Sequence, residues 1–305
     1  MQWLQAIFQP NPPHKYAINS KMLGDENLIA WSNLGYWDAK TTSYPDACRR
    51  LASRLADAVA LSSTDRLLDL GCGQGASLQL WNAQYHVQHI EAVELQTDCV
   101  RLIQHNVDCI DRIQCASFLN LDAANFEFKF DVILCIDAAY HYDLNSFLNI
   151  VSRLLNVQGR LGFHSLSLTE KFDSLTAIQK LKYQALLKCA DVRLADLNTA
   201  QQIKQRLGQY GYIEIQIEPL TESVLSGFSD YIQKRQQARP KARLKARPKK
   251  SSGVLNLKKH LDRFKIEMTA KLCQKLYVDG LIDYVQITAK KRNENERTSE
   301  TTKPH

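Results

Sequence analysis

The stretch Arg66 to Leu78, RLLDLGCGQGASL, sets an acidic side chain, Asp69, in an apolar run and follows it with glycines at positions 71, 73 and 75. Glycine lets the chain turn tightly and brings bare backbone against a ligand, and a helix starting just after the turn aims free N–H groups at it. The spacing is GxGxG, not the GxGxxG of dinucleotide sites, which suits a nucleoside with no pyrophosphate to hold. Glu94 ends the run HIEAVE, 19 residues after Gly75, where a carboxylate can accept two hydrogen bonds from a ribose diol. Asp122 and Ala123 fall where the loop after a third strand meets an adenine amino group. Each acid also has a plainer reading: Glu94 as a surface carboxylate, Asp122 as a helix cap. Their order along the chain favours the nucleoside site.

Such a site needs elements to carry it. Cys48, Leu51, Leu55, Ala58 and Val59 recur at helical spacing between Tyr44 and Leu61. Apolar runs and helical patterns then alternate: strand 67–70, helix 76–85, strand 89–94, helix 96–107, strand 131–136, helix 144–155 and strand 160–166. This alternation predicts an α/β fold, a doubly wound and mostly parallel sheet with helices on both faces. Late strands at 212–217 and 283–288 complete the sheet. The reading divides the chain into an aromatic-rich N-terminal lid, 1–43, a main domain, 44–291, and a polar tail, 292–305. Within the main domain it places a helical cap at 168–211 and a basic, flexible insertion at 234–253.

Composition narrows the function class. In 305 residues, 45% of them hydrophobic, the longest apolar stretches are far shorter than the roughly 18 residues of a membrane helix. The start, MQWLQAIFQPNPP, lacks the pattern of a signal peptide, so a soluble, cytoplasmic protein is expected. Eight cysteines, at 48, 72, 99, 109, 115, 135, 189 and 273, form no CxxC pair, so neither a zinc site nor a disulfide framework is expected. Net charge is +7, but nine of the 39 basic residues lie between Lys234 and Lys250, against 32 acidic residues in the whole chain. The body of the protein is therefore close to neutral, and the basic run reads either as a solvated loop or as a contact for an acidic substrate, RNA or an anionic membrane. No aromatic residue interrupts the run, which argues against stacking on single-stranded bases.

Arg66 to Gly75 resembles motif I of the class I S-adenosylmethionine-dependent methyltransferases. SNLGYWD (32–38), FDVILCIDAAYHYD (130–143) and LLNVQGRL (154–161) extend the resemblance to their small-molecule group, the methyltransferase type 11 set with sugar O-methyltransferases and tocopherol and sarcosine methyltransferases. It implies a Rossmann-like domain with an antiparallel last strand, S-adenosylmethionine as cofactor, and methyl transfer to a small-molecule acceptor, a hydroxyl ahead of nitrogen or carbon. It also implies that Tyr36 and Trp37 fold over the cofactor, that Asp69, Gly71 and Gly73 follow its methionine part, that Glu94 meets the ribose and Asp122 with Ala123 the adenine, and that Cys72, Gly75 and Leu95 belong to the same cofactor site. The chain departs from the group in one turn, where Val157-Gln158-Gly159 replaces a PGG-like sequence.

Transfer from a sulfonium depends mainly on holding the acceptor at attack distance in a dry pocket. His141, in the run after the fourth strand, is the candidate general base, or else a residue that shapes the pocket. Tyr140 and Tyr142 are candidate acceptor-pocket walls or packing residues, and Asp137 contacts the cofactor or caps its turn. Asn11-Pro12-Pro13-His14 superficially matches the NPP-aromatic motif of amino-methylating enzymes, but it follows no strand and lacks the aromatic fourth residue. No metal is expected, the oligomeric state is open, and an RNA-associated or non-catalytic cofactor-binding protein remains the competing class.

Overall fold

The structure is a computed structural model, described for residues 19–188, 190–238 and 253–293, with side chains of the last segment from residue 260. A short helix, α1 (Ser20–Leu23), precedes α2 (Tyr44–Ala58). Ser43 caps α2 by accepting the Asp46 N–H, Pro45 sits in its first turn, and Leu51, Leu55 and Ala56 lie on its fully buried face. The helix ends where Ala60 turns to φ +50.

From there the alternation expected from the sequence is present: β1 (Arg66–Leu70), α3 (Ala76–Tyr85), β2 (His89–Glu94), α4 (Thr97–Asn106), β3 (Arg112–Cys115), β4 (Phe130–Cys135), α5 (Leu144–Leu154) and β5 (Leu155–Leu168). A second set follows, with α6 (Ala177–Lys188), β6 (Asn198–Thr199), α7 (Ala200–Gln209), β7 (Tyr212–Pro219), α8 (Gly227–Gln237), α9 (Gly253–Asp279) and β8 (Ile282–Lys291). The sheet order is β3-β2-β1-β4-β5-β8-β7, with β6 added alongside β5. Strands 1 to 6 pair in parallel, while β8 runs antiparallel to both β5 and β7.

Alternation of side chains sends the two faces of the sheet into two cores. Leu67, Val132 and Leu134 join α2 and α3 on one side, around Trp81; Leu68, Leu70, Ile133 and Cys135 join α5 and α7 on the other, around Phe147 and Phe163. Asp143 caps α5 through the Ser146 N–H at 2.8 Å, and Leu144, Phe147, Leu148, Val151 and Leu154 form its buried stripe. One expectation is corrected here. The strand predicted at 160–166 begins at Leu155, because the Val157-Gln158-Gly159 turn is absorbed as an irregularity, with Gln158 at φ +64 and a register shift against β4.

The 239–250 part of the basic run, the 294–305 part of the tail and Pro12-Pro13-His14 lie outside the described residues. Among the described residues, no helix is long and apolar enough to cross a membrane.

At Gly162 the sheet packs closely against the end of α2. A Cβ there would lie 2.9 Å from Val59, 3.0 Å from Leu134 and 3.1 Å from Leu55. Gly162→Val is expected to cost about 1–3 kcal/mol by overpacking, read as a lower urea midpoint with unchanged m-value. A wild-type midpoint would show that α2 does not press on the sheet as described.

Candidate active site

The parallel strands β1, β2 and β4 end on one side of the sheet, and the cavity lies there, as open α/β sheets place their sites. β1 delivers Asp69, which is buried and accepts two hydrogen bonds on Oδ2, from Ser77 Oγ and from the Trp81 indole N–H, both at 2.7 Å. Both donors sit on α3, so this acid fastens the helix behind the glycine turn. Gly71 takes φ +76 and donates its N–H to the Val93 carbonyl at 2.8 Å. Gly73 takes φ +58, and a Cβ there would stand 2.5 Å from Ser32 Oγ and force that hydroxyl to move.

β2 delivers Glu94. Its Oε2 accepts the Gly73 N–H at 2.9 Å and its Oε1 the Gln96 N–H at 2.8 Å, so one buried carboxylate ties the glycine turn to the end of the neighbouring strand. Asp137 follows β4 and accepts from the Leu34 N–H and from the hydroxyls of Tyr140 and Tyr284. Desolvation raises all three acids above their ordinary range, Asp69 to about 6 against the opposing pull of its two hydrogen bonds.

The fourth side is the N-terminal segment. Asp25, fully buried, accepts the Trp31 N–H at 2.8 Å, and the Asn33 carbonyl accepts from Tyr44 Oη at 2.8 Å, so residues 30–33 lie across the cavity between two anchors.

Of the residues singled out from sequence, Asp69, Gly71, Cys72, Gly73, Glu94, Leu95, Asp137, His141 and Tyr142 line this cavity. Five do not. Gly75 caps α3 and faces Ile103, which a Cβ would meet at 2.7 Å. Tyr36 lies beneath Arg54, with the guanidinium 4.5 Å from its ring centroid, and Trp37 stacks on Tyr231 at 4.3 Å, so both rings pack against the body while Trp31, Ser32 and Asn33 border the cavity instead. Asp122 accepts the Ala124 N–H while Asn125 reaches back to the Asp122 N–H, a capping box that leaves Asp122 and Ala123 in a short 3-10 turn. Ala116, Ser117 and Phe118 take their place on the wall.

A second cavity adjoins the first, and the two share Ser32, Asp137 and His141. Its walls are mostly apolar: Leu34 from the N-terminal segment, Leu166 from β5, Leu187, Ala190 and Val192 from α6 and the turn after it, Leu225 before α8, and Ile266, Leu272, Cys273 and Leu276 from α9. Tyr140 and Tyr284 also line it, whereas Tyr142 belongs to the first cavity, its ring edge-on to Phe118 at 4.9 Å. The α9 wall and Tyr284 carry no sequence signal of their own; only proximity in the fold reveals them. His141 Nδ1 lies 3.4 Å from the Asp191 carbonyl; with the proton on Nδ1, Nε2 keeps its lone pair.

The described walls of the first cavity offer three carboxylates and no lysine or arginine. They therefore fit a ligand that brings its own positive charge and hydroxyl donors. S-adenosylmethionine has this chemistry, with an ammonium, a sulfonium and a ribose diol.

The family model for mycolic acid cyclopropane synthetase matches residues 29–238. The chain belongs to that family and, with it, to the class I S-adenosylmethionine-dependent methyltransferases. Two curated relatives are erythromycin 3''-O-methyltransferase of Saccharopolyspora erythraea, 31% identical over 120 residues, and 27-O-demethylrifamycin SV methyltransferase of Amycolatopsis mediterranei, 31% identical over 133 residues. The alignments cover 37% and 42% of this chain and only 38% and 48% of those relatives. Among solved structures, a cyclopropane synthase from Mycobacterium tuberculosis superposes with TM-score 0.66 at 16% identity, covering 92% of this chain and 99% of that one. Geranyl diphosphate C-methyltransferase from Streptomyces coelicolor superposes with TM-score 0.62 at 16% identity, covering 89% and 92%. These likenesses support the Rossmann-like fold.

The raised Asp69 has a pH signature. Protonation favours the ligand-free fold, so this group's contribution to stability is present at low pH and is lost as pH rises through about 6. A cationic ligand needs the ionised form. Affinity for S-adenosylmethionine is expected to be flat above neutrality and to fall roughly tenfold per pH unit below the Asp69 pKa. Calorimetric titrations across pH 5 to 8 check this; affinity that rises toward low pH would contradict it.

Proposed function

We propose that this chain transfers a methyl group from S-adenosylmethionine, held in the first cavity, to a hydroxyl oxygen of a small, largely apolar molecule held in the second. The observation that carries the reading is the contact between the two cavities at Ser32, Asp137 and His141. A ligand spanning that junction would meet an acceptor through a short, shared wall.

In this reading Asp69 and the backbone of the glycine turn hold the amino-acid end of the cofactor, and Glu94 with Leu95 holds its ribose. Ala116 to Phe118 and Tyr142 form the wall nearest the base, and residues 30–33 keep water out. S-adenosylmethionine, when bound, supplies an electrophilic methyl group on a sulfonium that becomes a neutral thioether on transfer. Nε2 of His141 takes the proton that the acceptor hydroxyl loses as its oxygen bonds to the methyl carbon. The second cavity is mostly apolar, with Asp137, Asp262 and Lys265 as the charged residues of its described lining, and this supports a largely apolar acceptor. The names of the two curated relatives support oxygen as the acceptor atom.

The test is release of S-adenosylhomocysteine against a panel of apolar alcohols and phenols, with matched amines and alkenes, and mass spectrometry of the products. Methylated alcohols support the reading; turnover confined to amines or alkenes would overturn the choice of oxygen. Cofactor binding without any turnover would favour a non-catalytic role. On an alcohol that reacts, His141→Ala is expected to lower turnover by about 10²- to 10⁴-fold while cofactor affinity stays within a few-fold of wild type. Undiminished turnover would remove His141 as the base.

A further inference from the structure

Asp137 follows β4 with φ +56, in the left-handed region that aspartate tolerates better than most side chains but not freely. Its partly buried carboxylate gathers three donors from three separated parts of the chain. Oδ2 accepts the Leu34 N–H at 2.8 Å, and Oδ1 accepts Tyr140 Oη at 2.7 Å and Tyr284 Oη at 3.0 Å. Leu34 directly follows the residues that lie across the first cavity, and Leu34, Tyr140 and Tyr284 all border the second. The side chain is thus engaged by protein donors where the two cavities share a wall, and a residue needed only to contact a ligand would not require them.

We propose that Asp137 is a positioning residue that latches the 30–34 segment over the first cavity and, through Tyr140 and Tyr284, ties the seating of that segment to the shape of the second. The proposal rests on reading the first cavity as the S-adenosylmethionine site. Binding of the cofactor beneath residues 30–33 and the arrangement of the acceptor wall are then one coupled equilibrium, because the same carboxylate holds both.

The test uses the full chain as wild type, Asp137→Asn and Tyr284→Phe. Asparagine keeps the size and the tolerance of positive φ, and phenylalanine removes a single hydroxyl, so both variants are expected to fold. Hydrogen exchange followed by mass spectrometry reports residues 30–36, with and without S-adenosylhomocysteine, and calorimetry gives affinities for S-adenosylmethionine and S-adenosylhomocysteine. In Asp137→Asn, the segment is expected to exchange roughly tenfold faster while β1 and β4 stay protected, and both affinities are expected to fall roughly tenfold. Tyr284→Phe is expected to move both readouts the same way by a smaller factor. Wild-type exchange at 30–36 in Asp137→Asn would overturn the latch, as would an equal loss of protection throughout the sheet, which marks a merely structural role. An affinity loss confined to S-adenosylmethionine would also overturn it and make Asp137 a direct partner of the sulfonium. If wild type binds neither nucleoside, the reading of the first cavity fails, while the exchange comparison still decides the latch.

Discussion

Three carboxylates, the buried Asp69 and Glu94 and the partly buried Asp137, surround one cavity whose described walls contribute no lysine or arginine. Burial without a cation is costly, and each acid answers it with hydrogen bonds from its surroundings instead of an ion pair. Those bonds run to different elements: Asp69 to α3, Glu94 to the glycine turn and to Gln96 just beyond β2, Asp137 to the N-terminal segment, the turn after β4 and β8. The negative cavity is therefore also the place where the fold is tied together. Local consistency is set aside there, as functional sites commonly require.

The division of labour follows from the sheet. Parallel strands bring their carboxyl ends to one edge, so the first cavity is built from the chain before β5. The second cavity is assembled mainly from what comes after that point, chiefly α6, α9 and β8, together with the N-terminal segment. One half of the site is thus a property of the strand-turn-helix unit, and the other of decorations whose apolar faces meet at distance in sequence.

The same division explains how much was legible in the sequence. The alternating strands, the glycine turn, Asp69 and Glu94 were readable because chemistry and local backbone coincide within a few residues. Asp122 lies off the described wall of the cavity, because an acid followed three residues later by Asn125 also forms a capping box with hydrogen bonds close to home. Tyr36 and Trp37 were expected over the cofactor, but an arginine and a tyrosine brought from elsewhere in the fold hold them to the body, and the cavity is bordered instead by Trp31, Ser32 and Asn33. Tyr284, 147 residues from Asp137, had no local signal to give. The α9 wall was equally hidden, since an apolar helical stripe reads as core until a cavity is seen beside it.

The most direct test of the central claim is calorimetric titration of the wild-type protein and a Glu94→Gln variant with S-adenosylmethionine at neutral pH. Glutamine keeps the shape but gives up the charge and one acceptor, which is expected to weaken binding by roughly tenfold or more. Micromolar binding by wild type that is weakened in this way in the variant is the result expected of a negative cavity built for a cationic nucleoside. A folded wild-type protein that does not bind, or a variant that binds as well as wild type, would contradict it.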